Sequence, residues 1–192
     1  RSRTLEMDFG ISTRCFGQTP LTLDLLERLR RAGFKNIELH AALPGFDYGN
    51  RSLRRDIARW FRENDLPAPS LHLPFGRFDE DVLGARPLER QRALDEIKRC
   101  LELIDMLPLS FAVLHLGSTG QTFNPVVFEH AYTAVAAIHS FSGVRVLVET
   151  LSNEIATFDR IHEFIAAAQI QNVGICYDTG HGEMERRPDA VH

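Results

Sequence analysis

The chain has 192 residues, 44% of them hydrophobic, and a formal net charge of −4 from 22 basic and 26 acidic side chains. That is enough chain for one domain with a sizeable core, and the mixed, slightly acidic surface excludes the basic footprint of a duplex-binding protein. Three widely spaced cysteines make no disulfide framework, no apolar run approaches the roughly 20 residues of a membrane span, and Arg1–Asp8 lacks the apolar core of a signal peptide, so a cytoplasmic protein with no membrane partner is expected.

Met7–Ser12 reads as a first strand. Leu21–Ala32 follows as an amphipathic helix, with Thr19 as N-cap, Pro20 at the first helical position and Gly33 at the C-terminal cap. Its buried stripe is Leu25, Leu26, Leu29 and Ala32. Asn36–Ala41 is the second strand, and a loop rich in Gly and Pro leads to a helix over Ser52–Asn64 that Pro67 and Pro69 end. The third strand, Ser70–Leu73, precedes a long helix over Pro87–Leu107, whose Leu94, Ile97, Cys100, Leu101 and Ile104 fall at helical spacing. Phe111–Leu116 and Val144–Glu149 are the fourth and fifth strands, followed by helices over Val126–His139 and Glu154–Gln169. The sixth strand begins at Val173 in VGICYDTGHG, where an apolar run gives way to Asp178, Thr179, Gly180 and His181.

Successive strands begin about 28 to 42 residues apart, the spacing of right-handed βαβ crossovers and a parallel sheet. A dinucleotide-binding sheet would carry G-x-G-x-x-G after its first strand, but that turn here is STRCFGQTP, with one glycine. Several strands end instead in ligand-capable residues, the pattern of a barrel rim. The expected fold is therefore α/β, a (β/α)8 TIM barrel. About six βα units are present, so residues 1–192 read as a single barrel domain lacking the last two.

The strand ends carry the chemistry. Strand two offers Glu38 and His40, strand three His72 in SLHLPFG, strand four His115 in VLHLGS, strand five Glu149 in VLVET, and strand six Asp178 and His181. Histidines and carboxylates converging on one mouth suit zinc, manganese or cobalt. Without a cation, so many ionisable groups would be costly to bury together. His40 reads as a hydrogen-bonded rim residue and is left out of the site. His130, His139 and His162 read as surface residues on helices, Cys15 as a small buried filler, and the runs DEDVLGARPLERQR and EMERRPD as solvated faces.

Taken in order, IELH, SLHLP, VLHLGS, LVET and CYDTGHG resemble the xylose isomerase-like TIM barrels, a superfamily of sugar and sugar-phosphate isomerases and epimerases that also includes type IV apurinic endonucleases. The resemblance implies one divalent metal ion (Mn, Zn, Co or Mg), a small-molecule sugar or sugar phosphate as substrate, and proton transfer through an enediolate; the acidic balance of the chain argues against a nucleic acid partner. Glu149 and Asp178 match the family's metal-binding Glu after strand five and Asp after strand six, and Glu149, or its partner Glu after strand eight, would be the catalytic residue that removes the proton. The family's remaining ligands, a His after strand seven and a Glu after strand eight, would lie beyond His192, which is not assigned. By the same resemblance His115 and His181 contact substrate hydroxyls, and Glu38 and His72 line the pocket. The endonuclease branch leaves an alternative, a zinc phosphodiesterase on abasic DNA, since His72, His115, Glu149, Asp178 and His181 all have counterparts there. A sugar dehydratase and a non-catalytic degenerate barrel are further alternatives, and homo-oligomerisation stays open.

Overall fold

A computed structural model describes residues 9–67, 69–169 and 171–181. Met7 and Asp8 of the first expected strand, Gly182, the EMERRPD run and His192 lie outside the described residues. Six strands, β1 (Gly10–Ser12), β2 (Asn36–His40), β3 (Ser70–His72), β4 (Ala112–Leu114), β5 (Val146–Glu149) and β6 (Val173–Cys176), form one sheet. All neighbours are parallel and the spatial order is the chain order. A doubly wound sheet reverses its order at a switch point; this one does not, which decides between the two parallel architectures.

The pleat sends alternate side chains to opposite faces. Ile37, Leu39, Leu71, Ala112, Leu114, Val146 and Val148 are almost fully buried and join the hydrophobic core against the helices. The other face carries Glu38 and His40, Ser70 and His72, Leu147 and Glu149, and the alternation continues to His115 just past β4. A histidine between two leucines is thus the mark of a strand whose leucines pack outward and whose imidazole turns inward.

The helices are α1 (Leu23–Arg31), α2 (Arg51–Glu63), α3 (Arg77–Leu83), α4 (Pro87–Leu101), α5 (Pro125–Ser142) and α6 (Phe158–Ala168). Three expectations need correction. Helix α1 is capped by Thr22, whose side chain accepts from Leu25 N at 3.2 Å, not by Thr19. The reason is tertiary, because Leu21 is buried and its N–H donates to Gly45 O across the loop after β2. The expected Pro87–Leu107 helix stops at Leu101 and tightens into a 3-10 turn over Glu102–Asp105. The run DEDVLGARPLERQR is not simply a solvated face, since it contains most of α3, whose Val82 and Leu83 are buried. Among the described residues, no helix is long and apolar enough to cross a membrane.

Smaller differences concern single residues. Cys15 lies in a 3-10 turn (Thr13–Phe16) that leaves it exposed rather than buried, whereas Cys100 is buried in the α4 stripe. His162 is exposed, but His130 and His139 are half-buried, and each ring Nδ1 donates to a carbonyl, of Leu83 and Val144 respectively.

Candidate metal centre

The site is built from the residues that end β3, β4, β5 and β6. His72 closes β3, and its Nδ1 lies 2.9 Å from Leu73 O. A carbonyl only accepts, so Nδ1 carries a proton, and Nε2 is the pole that faces Glu149. That Nε2 stands 3.3 Å from Glu149 Oε2, and His115 Nε2 lies 3.3 Å from the same oxygen. Two imidazoles and a carboxylate therefore meet at one point in a largely buried setting. With Nδ1–H committed to Leu73, the approach of His72 Nε2 to Glu149 is attractive only if Nε2 gains a second proton or a cation sits between them.

Glu149 meets a second pair on its other side. Thr150, fully buried, accepts from Asp178 N through its hydroxyl at 2.9 Å and from His181 Nδ1 through its carbonyl at 2.8 Å. Asp178 Oδ1 in turn accepts from His181 N at 2.9 Å, the bond an N-cap makes to the turn that follows. Asp178 caps this turn. His181 is thereby held with Nδ1 as donor and Nε2 as a lone pair.

These contacts define two triads that share Glu149. His72, His115 and Glu149 form one, and Glu149, Asp178 and His181 the other, each offering ligand atoms within 4.8 Å of one another. A divalent ion bonds His nitrogen and carboxylate oxygen at about 2.0–2.2 Å, so small side-chain movements would close either triad on a cation. The donor set, two nitrogens with one carboxylate or two carboxylates with one nitrogen, is the chemistry of zinc and manganese rather than calcium.

Electrostatics follow from this crowding. Burial alone would raise the Glu149 pKa, but hydrogen bonding and charge from His115 and His72 outweigh it and hold the carboxyl well below the usual range. His40, buried beside His72, His115 and Arg14, has its pKa lowered to about 4, chiefly by burial and then by those positive neighbours. The Cys176 thiol is pushed up to about 11 by burial, then by Glu149, Glu38 and Asp178, which makes it a neutral neighbour of the carboxylates.

Five of the six residues expected at the site are brought together: His72, His115, Glu149, Asp178 and His181. Glu38 is not among them. It sits in the middle of β2, about 6–7 Å deeper than His40 on the same face. There it lines a cavity of about 480 Å³ near the N-terminal ends of the strands, with Ser12, Asn36, Ser70 and Ser110. His40 is the reverse case, set aside on sequence grounds yet placed 5.3 Å from His72 between ring centroids. Phe75 is the feature that gathers them. Its ring centroid lies 5.1, 5.4 and 5.2 Å from those of His40, His72 and His115. An aromatic three residues after His72 in SLHLPF was the available signal.

The family model for the xylose isomerase-like TIM barrel matches residues 26–191. The chain belongs to that family. No curated protein matches it by sequence. Among solved structures, a D-tagatose 3-epimerase-like protein superposes with a TM-score of 0.74 at 17% identity, covering 93% of this chain and 67% of its own. D-Psicose 3-epimerase from Clostridium cellulolyticum H10, solved with D-tagatose, gives 0.71 at 16% identity over 96% and 67%. The IOLI protein, solved with a zinc atom, gives 0.70 at 19% identity over 91% and 64%. At these identities the likeness establishes the fold: six consecutive βα units of a xylose isomerase-like barrel. The chain spans about two thirds of the length of those three structures.

Proposed function

We propose that this chain, read over residues 1–192 as one barrel domain, forms the metal-binding part of an isomerase or epimerase acting on a sugar or sugar phosphate. The observation that carries the reading is the Glu149 carboxylate shared by two candidate ligand triads at the C-terminal ends of consecutive strands. Family membership and the sugar epimerases named among its structural neighbours support the substrate class. A divalent ion held there would polarise a substrate carbonyl and acidify the adjacent C–H.

The protein's own groups do the remaining work. Asp178 and Glu149 would hold the ion and balance its charge. Glu149, whose carboxyl His115 and His72 hold well below the usual range, would accept the proton from the carbon next to the carbonyl, leaving an enediolate. Returning the proton to the other carbon isomerises, and returning it to the opposite face epimerises. The imidazoles of His115 and His181 orient the hydroxyls, with His181 presenting its Nε2 lone pair to a hydroxyl proton.

The test is turnover of a panel of ketoses, free and phosphorylated, by the full chain with added manganese or zinc. Glu149→Gln is expected to lower kcat at least 100-fold, the range for loss of a general base, and to weaken metal binding. Full activity in that variant overturns the proposal. One observation favours a second reading: two triads leave room for two ions, which suits a zinc phosphodiesterase acting on abasic DNA. Cleavage of an abasic duplex without turnover of any ketose would select it, against the weak electrostatic support of a chain with net charge −4.

A further inference from the structure

Beside the candidate metal centre lies a second feature that the sugar chemistry above does not use. A cleft of about 360 Å³ opens between the turn after β1 and the loop after β2, lined by Arg14, Gln18, His40, Leu43, Pro44 and Phe75. Arg14 is exposed, and its guanidinium carbon sits 4.3 Å above the Phe75 ring centroid. Among the described residues it has no carboxylate partner, unlike Arg30, Arg54, Arg59 and Arg160, each of which pairs with an acidic side chain. A guanidinium stacked on an aromatic face is held in plane while its N–H edge stays available for an anion.

The same Phe75 ring packs against His72 and His115 on its other contacts, so a single phenyl group separates the cation from the candidate ligands. His40 also lines the cleft. It is 9% exposed, and its Nε2 is buried with no hydrogen-bond partner. A buried imidazole nitrogen left unpaired costs free energy unless something visits it. A polar ligand lying along the cleft would satisfy it.

Resting on the isomerase or epimerase reading, we propose that this cleft binds the anionic end of the substrate, which is a sugar carrying a terminal phosphate or carboxylate. Arg14 grips the anion, His40 Nε2 meets an intervening hydroxyl, and the carbonyl end reaches the triads around Glu149. Charge-assisted, bidentate pairing makes Arg suited to either anion, and the arms of the experiment separate the two.

Calorimetric titration of the metal-loaded full chain with glycerol 3-phosphate, glycerate and glycerol measures the subsite without requiring turnover. At least one of the two anions is expected to bind at least tenfold more tightly than glycerol. In Arg14→Gln that preference falls by about tenfold or more, the size of one lost charge-assisted bond, and Arg14→Lys gives an intermediate value. Glycerol 3-phosphate ahead of glycerate identifies a sugar phosphate, and the reverse order a sugar acid. Equal anion binding by wild type and Arg14→Gln overturns the proposal, because an anion held only by the metal would not depend on Arg14. Arg14-dependent anion binding without turnover of any ketose would keep the subsite and discard the isomerase reading. Turnover with no dependence on Arg14 would do the opposite.

Discussion

His40 shows how much a single residue can depend on neighbours that are distant in sequence. Read along the chain it is one histidine at the end of a strand; in the fold it is packed among His72, Phe75 and, through that ring, Arg14. Its depressed pKa has a definite sign. A group whose folded pKa lies below its unfolded value contributes stability that is complete above the unfolded pKa and is lost as pH falls through the folded one. For His40 that window runs from about 6.5 down to about 4. Each pH unit crossed contributes at most about 1.4 kcal/mol, and solvent screening at this half-buried group brings the loss between pH 6.5 and 4.5 to the order of 2 kcal/mol. The Glu149 window opens at the ordinary value of 4.5 and runs downward, so most of the His40 window lies above it. Urea unfolding in the presence of a chelator, at pH 7.5 and 4.5, is expected to show a drop in stability for wild type that is about 2 kcal/mol smaller in His40→Gln. Equal drops would refute the assignment. By contrast His72, His115, Glu149 and Asp178 were legible in the sequence, because a polar residue closing an apolar strand has few other reasons to be there. Glu38 looked equivalent to them, but a pattern of residue types does not say at which depth a strand's inward face becomes the mouth.

Elements are positioned by loop residues whose importance the sequence hardly signals. Asn153, in the loop after β5, is 7% exposed and uses its whole amide: Nδ2 donates to Leu116 O and Ser118 O at 3.1 and 3.2 Å, and Oδ1 accepts from Ile155 N and Ala156 N at 2.9 and 2.7 Å. It ties the loop after β4 to the loop after β5, and so fixes His115 relative to Glu149. The same capture of Ile155 and Ala156 explains why α6 starts at Phe158, capped by Thr157, rather than at Glu154. Gly117 completes the arrangement, since at φ +81° a Cβ would run into the Gln121 side chain. Replacing Asn153 by Ala takes this partner from buried Leu116 O and from the buried N–H groups of Ile155 and Ala156, while half-buried Ser118 O keeps the bond from Gln121 N. A cost of about 3 kcal/mol is expected, read as a lower urea midpoint at unchanged m value, together with weaker metal binding. A loss under about 1 kcal/mol would mean that water replaces the amide. Periodicity located all six strands and five of the helices, but short α3 escaped it. Its seven residues bury adjacent Val82 and Leu83, too brief a stretch for a 3.6-residue period to register.

At the scale of the whole sheet, β3 and β4 are flanked on both sides, whereas β1 and β6 each have one neighbour among the described residues. Edge strands open more readily because half their backbone groups lack a ladder partner. The candidate ligands are distributed unevenly across that gradient, since they come from the ends of β3, β4, β5 and β6 and none from β1 or β2. A bound ion would therefore staple one side of the sheet to its centre and leave the other edge as it was. Hydrogen exchange measured by mass spectrometry makes this visible. Without metal, peptides from β1 and β6 are expected to exchange faster than those from β3 and β4. With zinc or manganese at about 100 times its dissociation constant, global stability rises by about 2.7 kcal/mol. The protection gained is expected on peptides covering Val146–Thr150 and Val173–His181, with β1 unchanged beyond the global shift. Added metal that protects both edges alike, or neither, would show that it binds elsewhere than at the triads around Glu149, because only ligands on β5 and β6 transmit the ion's binding energy to that edge alone.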